Sequence, residues 1–152
     1  VNNAGVSGGP LESQTAIDVD FDAWAEAFAI NTMGPVRVMQ ALLPQLERAR
    51  HAKVMSLTSQ LGALSLDLTL AYGYSATKAA LNKFMRLAAI DLKPRGIAVG
   101  VIHPGWVRTD LGGPGGQIEP AESAAGIVKV IDELSLETTG RFWKWNGSLH
   151  DW

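Results

Sequence analysis

The chain has 152 residues, of which 47% are hydrophobic and 18% charged, and its formal net charge is −2. This composition is typical of a folded globular chain with about one domain. It contains no cysteine, which excludes disulfides and thiolate metal sites, and it has no block of Lys and Arg, which leaves nucleic-acid binding without electrostatic support.

The first 20 residues are rich in Gly, Pro, Ser and Asn and are predicted to form a loop that leaves the end of a strand. Apolar residues from Phe21 to Phe28 then recur at helical spacing. The segment 31–35 is predicted to interrupt this helix. A second helix is expected over 36–49, where four apolar residues share one face.

Strands and helices alternate in the remainder of the chain. A β-like run at 53–58 and a loop at 59–70 precede a long predicted helix at 72–92. This helix ends before Pro94, because the proline nitrogen carries no hydrogen. The continuously apolar run 97–102 suits a strand that is covered on both faces.

A glycine-rich loop at 111–118 leads to a predicted helix that starts at Pro120, and a last strand is expected over 141–145, before the turn residues Asn146 and Gly147. Strands that alternate with helices predict right-handed crossovers and a parallel sheet. The sequence therefore predicts an α/β fold.

Tyr74 and Lys78 lie four residues apart at the start of the long predicted helix. Four residues are about one helical turn, so the phenol and the ammonium project from the same face. A lysine cation beside a tyrosine favours the phenolate and lowers the phenol pKa from about 10. The pair is predicted to supply a proton in carbonyl chemistry, although the same spacing also occurs at an ordinary helix start.

Five short motifs follow one another along the chain: Asn2, Asn3, Ala4 and Gly5; Asn31; Ser59 with Gly62; Tyr74 with Lys78; and Pro104 and Gly105 with Val107 and Thr109. In this order and spacing they resemble the short-chain dehydrogenase/reductase family. The segments 103–113 and 140–147 resemble its C-factor-like carbonyl reductase branch. The resemblance implies a partial Rossmann-type, doubly wound parallel sheet with the end of strand 4 and strands 5, 6 and 7.

The resemblance further implies an NAD(P)-dependent oxidoreductase that transfers hydride between the cofactor and a small carbonyl or alcohol substrate. Tyr74 would donate or accept the proton, and Lys78 would lower the tyrosine pKa and bind the nicotinamide ribose. Ser59 would donate a hydrogen bond to the substrate oxygen. Asn31 would hold a water that relays protons to the lysine.

The residues themselves leave alternatives open for three of these positions. Ser56 and Ser65 compete with Ser59, since a loop serine commonly only makes a turn. Asn31 could instead cap the second helix. Trp106 could shape a substrate pocket or serve only as a packing residue.

The cofactor residues implied by the resemblance are Asn3, Ala4, Gly5, Tyr74, Lys78, Pro104, Gly105, Val107 and Thr109. NADP is slightly favoured over NAD on the resemblance alone. Asn2 is expected to join neighbouring strands rather than contact the cofactor. The glycine-rich loop after Thr109 is expected to close over the substrate.

The family's glycine-rich phosphate loop and the residue that selects NAD or NADP are both missing from these residues. The chain also begins at Val1 rather than at a methionine, as a sequence entered midway would. We therefore expect residues 1–152 to be a single domain that is the C-terminal portion of a longer reductase. Alone, it would bind cofactor weakly and could be inactive.

A non-catalytic signalling or binding protein of the same fold is the alternative interpretation. The helices predicted at 36–49 and 72–92 match those that pair between subunits in many relatives, so the resemblance implies a homodimer or a homotetramer. No run of about 18 apolar residues is present, which favours a cytoplasmic protein without a membrane partner. The three histidines are scattered and suggest no metal site.

Overall fold

A computed structural model describes residues 1–152 and contains a three-stranded parallel sheet with the strands in chain order. The strands are β1 (Ala52–Leu57), β2 (Ile97–His103) and β3 (Phe142–Lys144). At the free edge of β1, Asn2 adds a parallel bridge to Ser56. The predicted α/β fold is confirmed, and the first residues of the chain lie beside the free edge of β1.

The central strand β2 is buried at every residue, as expected for a continuously apolar strand between two helical layers. Ile97, Val99 and Val101 belong to the larger core cluster, which includes Leu81 and Met85 of the long helix. Ala98 and Ile102 on β2 face the opposite side of the sheet. They belong to a second cluster with Val130 and Leu134. The alternation of side chains along the strand therefore builds one core on each face of the sheet.

The helices are α1 (Phe21–Phe28), α2 (Gly34–Ala41), α3 (Leu43–Arg48), α4 (Tyr72–Leu92) and α5 (Pro120–Glu133). Single 3-10 turns lie at Leu11–Ser13, Gln60–Gly62 and Lys93–Arg95. The predicted long helix coincides with α4. No helix has both the length and the apolar character that a membrane span requires.

Two details of the first helices differ from the sequence-based expectation. The interruption predicted at 31–35 is a π-helical turn, Ala29–Met33, so α1 continues into α2 without leaving helical geometry. The single helix predicted at 36–49 divides at Leu42 into α2 and α3. Pro44 explains the division, because it lacks the N–H that would continue the helix and is tolerated in the first turn of α3.

Candidate active site

The functional residues predicted from the sequence meet at the carboxyl-terminal edge of the sheet. Ser59 follows β1, Pro104 and Gly105 follow β2, and Tyr74 lies in the first turn of α4. In open parallel sheets this edge is where ligands bind, because the loops that leave neighbouring strands converge there.

Two cavities open on this edge, and Tyr74 lines both. The lysine cavity, about 280 Å³, contains Lys78 in its wall together with Asn3, Gly5 and Ser123. The tryptophan cavity, about 460 Å³, contains Trp106 together with Ser59 and several leucines. Tyr74 therefore stands between a cavity that contains the buried lysine and a cavity whose walls carry no charged side chain.

Lys78 is only 4% exposed, and its ammonium lies 5.7 Å from the centroid of the Tyr74 ring. The Nζ atom donates a hydrogen bond to the carbonyl oxygen of Leu57 at 3.1 Å, where β1 ends. Burial lowers the pKa of Lys78 from 10.5 to about 8, because desolvation disfavours the charged form. At neutral pH the group is still mainly cationic.

The pKa of Tyr74 differs in direction from the sequence-based expectation. Burial raises the pKa of the phenol, and the nearby Ser59 hydroxyl opposes that rise only in part. The Lys78 cation is not among the causes of the shift. The prediction of a lowered tyrosine pKa is therefore wrong, because removing the phenolate from water outweighs the attraction of a cation that faces the ring.

Asn31 is fully buried within the π-helical turn and caps no helix, so the capping alternative is wrong. Its Oδ1 accepts the Val6 N–H at 2.8 Å, and its Nδ2 donates to the Val6 carbonyl at 2.8 Å and to Thr77 Oγ1 at 3.0 Å. Gly5 separates it from Lys78. A Cβ atom added to Gly5 would lie 3.3 Å from Asn31 Oδ1 and 3.4 Å from Lys78 Nζ, so this position brings both polar atoms close to the segment that starts the chain.

Of the three candidate serines, only Ser59 lines a cavity with Tyr74. Ser59 also makes a turn, since its hydroxyl accepts the Leu61 N–H at 3.2 Å. Ser56 is fully buried and accepts a hydrogen bond from the Asn2 side chain at 3.0 Å. Ser65 is exposed and contributes its N–H to the Trp152 carbonyl.

The structure brings most of the predicted cofactor residues together. The lysine cavity is lined by seven of them, namely Asn3, Gly5, Tyr74, Lys78, Pro104, Val107 and Thr109. Gly105 lines the tryptophan cavity instead, at a φ of +83° that favours glycine, and Ala4 lines neither cavity. Asn2 joins strands as predicted, because its N–H and C=O both bond to β1.

Residues 105–118 form a loop that shapes the outer side of both cavities. Val107 and Ile118 pair at its base, and Trp106 Nε1 donates to the Gly112 carbonyl at 2.7 Å. Arg108 forms an ion pair with Glu119 and donates a second hydrogen bond to the Gly116 carbonyl. Trp106 is half-exposed and lines a cavity, which favours its pocket-shaping role over simple packing.

His103 supports the turn at Pro104 and Gly105, a function that the sequence does not indicate. Its Nδ1 accepts the Gly105 N–H at 3.1 Å. Burial, with smaller contributions from the charges of His150 and Lys144, lowers the pKa of His103 to about 4. The imidazole therefore stays neutral and remains an acceptor at physiological pH.

Other residues at the site also lack a sequence signal. Thr58 lines both cavities, and Leu11 lines the tryptophan cavity. Both lie outside the segments 59–70 and 106–118, where the sequence predicts the pocket lining, and the single turn around Leu11 has no period that indicates which side chains are covered. Only the folded arrangement of the loops identifies them.

The model of the family described as short chain dehydrogenase matches residues 1–117 of this chain. The protein named C-signal from Myxococcus xanthus is 41% identical over 153 residues, a match that covers 100% of this chain and 90% of that relative. The 1-hydroxy-2-glutathionyl-2-methyl-3-butene dehydrogenase of Rhodococcus sp. (strain AD45) is 37% identical, and the match covers 88% of this chain and 61% of the dehydrogenase.

Solved structures of carbonyl reductases are similar to this chain as well. The NADPH-bound carbonyl reductase from chicken fatty liver superposes with a TM-score of 0.88 at 31% identity, over 99% of this chain and 64% of that one. The carbonyl reductase Sniffer of D. melanogaster superposes with a TM-score of 0.90 at 27% identity, over 100% and 66%. The chain thus spans nearly all of C-signal but under two thirds of the Rhodococcus dehydrogenase and of the chicken reductase.

Proposed function

This chain belongs to the short-chain dehydrogenase family. On that basis we propose that it catalyses hydride transfer between a nicotinamide dinucleotide and a carbonyl or alcohol substrate, which bind in its two cavities. The observation that carries the proposal is the position of Tyr74, the one titratable side chain common to the lysine cavity and the tryptophan cavity. A proton donor between two compartments can serve a substrate in one while a cofactor is bound in the other.

The lysine cavity suits the nicotinamide end of a dinucleotide. Lys78 donates a single hydrogen bond, to the Leu57 carbonyl, and its ammonium has three hydrogens, so it retains donors for ribose hydroxyls. Asn3, Val107 and Thr109 would provide further polar contacts, with Gly5 and Pro104 shaping the wall. When bound, the dinucleotide would supply or accept the hydride. The chicken carbonyl reductase binds NADPH, which supports NADP ahead of NAD.

Tyr74 is the proposed acid for carbonyl reduction. Its raised pKa keeps the phenol protonated at neutral pH, which is the form that can donate a proton to a carbonyl oxygen. The Ser59 hydroxyl would hydrogen-bond the same oxygen and stabilise the charge that develops on it. For alcohol oxidation the phenolate is required, so that direction is expected to accelerate as the pH rises.

Asn31 and Lys78 are proposed to form the route through which a proton returns to the Tyr74 hydroxyl. Gly5 leaves space for both polar groups to approach the same point on the first loop. The hydrogen bonds of Asn31 to Val6 and Thr77 hold its amide in one orientation. We propose that this fixed amide orders the water through which protons reach the lysine.

The substrate is proposed to be an uncharged, largely apolar aldehyde or ketone. The walls of the tryptophan cavity contain no Asp, Glu, Lys, Arg or His, and they include Leu11, Leu61, Leu68, Leu70 and Trp106. A charged substrate would lose its hydration there without a compensating partner. Benzaldehyde and 4-carboxybenzaldehyde are a suitable pair, and kcat/KM is expected to be at least about tenfold higher for the neutral compound. A preference for the carboxylate would contradict this substrate class.

The Tyr74→Phe variant tests the proposed chemistry. It removes the proton donor but keeps the ring, so turnover is expected to fall by about a thousandfold or more, while the melting temperature changes little. Tyr72→Phe is the matched control, because Tyr72 lies one half-turn away and lines neither cavity. NADPH binding with no turnover in the wild-type protein would instead favour the non-catalytic alternative.

A second copy of this chain is the proposed partner for the outer face of α2 and α4. Val38 on α2, Leu42 at the junction of α2 and α3, and Phe84, Leu87 and Ile90 on α4 are exposed. A groove of about 380 Å³ lies between the helices. Two copies of one apolar face can pair about a twofold axis. Sedimentation of the wild type and of Leu87→Asp tests this, and a wild-type monomer at micromolar concentration would rule the pairing out.

A further inference from the structure

The first turn of α4 carries Tyr74, yet this helix has no cap of its own. The N-cap residue, Ala71, is fully buried at φ 52° and ψ 49° and makes no side-chain capping bond. A non-glycine residue in the left-handed region is strained and persists only where its surroundings hold it there. The first helical N–H groups also need acceptors from outside the helix.

Gln14, distant in sequence, provides those acceptors. Its backbone carbonyl accepts the Tyr72 N–H at 3.3 Å, and its side-chain Oε1 accepts the Tyr74 N–H at 2.8 Å. Gln14 is only 5% exposed, so its side-chain amide is buried in the protein. A Cβ atom on Gly73 would lie 3.1 Å from Gln14 Oε1, which indicates how closely the glutamine approaches the helix.

The other end of the same amide holds the loop that follows Gly5. Gln14 Nε2 donates to the Ser7 carbonyl at 2.9 Å, with longer contacts to Gly8 at 3.3 Å and Gly9 at 3.4 Å. The preceding residue, Val6, is the one that Asn31 binds through both its N–H and its C=O. Gln14 therefore joins the loop at the start of the chain to the backbone of Tyr74.

The carbonyl of Tyr74 is held as well as its N–H. Thr77 Oγ1 donates to that carbonyl at 2.7 Å and accepts from Asn31 Nδ2 at 3.0 Å. Gln14 itself lines neither cavity. Its contacts with the site thus run through the Tyr74 backbone and the loop, not through a bound molecule.

We propose that Gln14 is a positioning residue for the reaction, which caps α4 from outside and sets the Tyr74 hydroxyl relative to Ser59. The proposal rests on the proposed function of Tyr74. The neutral amide of Gln14 accepts from the Tyr74 N–H through its oxygen and donates to the Ser7 carbonyl through its nitrogen. Small displacements of a catalytic group reduce the rate of the chemical step more than they reduce the affinity for ligands bound elsewhere.

The experiment compares Gln14→Met, Gln14→Glu and the wild type. Methionine keeps the length of the side chain but removes both the hydrogen-bond acceptor and the donor. Glutamate keeps the acceptor for the Tyr74 N–H and loses the donor to the Ser7 carbonyl. In Gln14→Met, kcat is expected to fall on the order of tenfold to a hundredfold, with KM for NADPH within about twofold. Gln14→Glu is expected to lie between Gln14→Met and the wild type. Gln45→Met, the same change at an exposed position on α3, is expected to behave as the wild type.

Hydrogen exchange of the Tyr74 amide, measured by NMR without cofactor, gives a readout that is independent of turnover. Exchange at this amide is expected to accelerate about tenfold or more in Gln14→Met, with the Met85 amide in mid-helix unchanged. Normal kcat in a variant whose Tyr74 amide exchanges faster would overturn the proposal, as would unchanged exchange in Gln14→Met. If Gln14→Met does not fold, a kcat in Gln14→Glu equal to that of the wild type overturns it.

Failure of this proposal is distinct from failure of the proposed function. Turnover that survives in Tyr74→Phe rejects the proton-donor mechanism itself. Turnover that depends on Tyr74 and is unaffected in Gln14→Met rejects only the positioning role.

Discussion

Lys78, in the wall of the lysine cavity, and Asn31, which lies near it beside Gly5, are almost fully buried, and we call them the buried wall. Most of the residues of loop 105–118, which we call the exposed wall, are exposed. The buried wall is held by amide and ammonium groups that bond to backbone atoms of other segments. The exposed wall is held by contacts within the loop and by the ion pair of Arg108 with Glu119.

This difference matches the two tasks of the proposed hydride-transfer site. Groups that transfer protons need a fixed geometry, which buried and hydrogen-bonded side chains provide. A loop that admits substrate and releases product has to open, and exposed contacts are easily broken. Substitutions in the buried wall should therefore lower the free energy of unfolding strongly, and substitutions in the loop should lower it little.

The largest effect is expected for Asn31→Ala. The change removes the partners of both the Val6 N–H and the Val6 carbonyl, and it also removes a bond to Thr77. Two backbone groups left without partners at about 2 kcal/mol each predict a loss of about 4 kcal/mol in the free energy of unfolding. Urea denaturation measures it. Asn146→Ala in an exposed turn is the control, and equal losses in the two variants would mean that the buried wall has no special importance.

Lys78 is expected to make stability depend on pH. Its folded pKa of about 8 lies below its ordinary value of 10.5, so the unfolded chain binds more protons between these values. Stability should therefore rise as the pH increases from about 8 to about 10.5, by on the order of 3 kcal/mol relative to Lys78→Met, which has no such titration. Denaturation curves across this range measure the difference. A constant difference between the two proteins would show that burial does not perturb the lysine.

Gly62→Ala probes the contact between the end of β1 and α4. An added Cβ atom would lie 2.7 Å from the Lys78 carbonyl carbon, so the turn would have to move away from the helix. Overpacking of this kind predicts a loss of about 2 kcal/mol and a lower kcat, because the turn carries Ser59. In Gly96→Ala the added atom meets nothing within 4 Å, although φ is +76°. That control should lose about 1 kcal/mol from backbone strain and keep its kcat.

The smallest effect is expected for Glu119→Gln in the loop wall. The Arg108 and Glu119 side chains are 52% and 60% exposed, and ion pairs of this kind contribute little in water. Stability should change by less than about 0.5 kcal/mol, and any effect on turnover should decrease at high salt. Thermal denaturation and kinetics at two salt concentrations measure both. A loss as large as that of Asn31→Ala would remove the distinction between the two walls.

Local patterns predicted the elements well. The bounds of α4 follow from its apolar period and from Pro94, and β2 follows from an unbroken apolar run. The motif residues Ser59, Tyr74 and Lys78 do come together, because parallel strands bring their carboxyl ends to one edge. The catalytic roles of these residues remain predictions, as do the cofactor preference and the association of two copies.

What local patterns could not supply are the contacts between distant segments. Gln14 lies in a polar loop without periodicity, and nothing in its neighbours indicates that it caps a helix about 60 residues later. For Asn31 the residue type also allowed a helix cap as an alternative to the water relay, because asparagine favours that position, whereas a π-helical turn buries it against Val6 and Thr77.

The amino-acid sequence by itself determined the order of strands and helices, the family and the pairing of Tyr74 with Lys78, since each depends on spacing along the chain. Only the tertiary structure decided the protonation of that pair. Desolvation depends on everything that packs around a group, and here it raises the tyrosine pKa and lowers that of the lysine. The division of the site into a cavity with the lysine and a cavity without charged side chains depends on the same packing, because the loops that form its walls meet only in the folded chain.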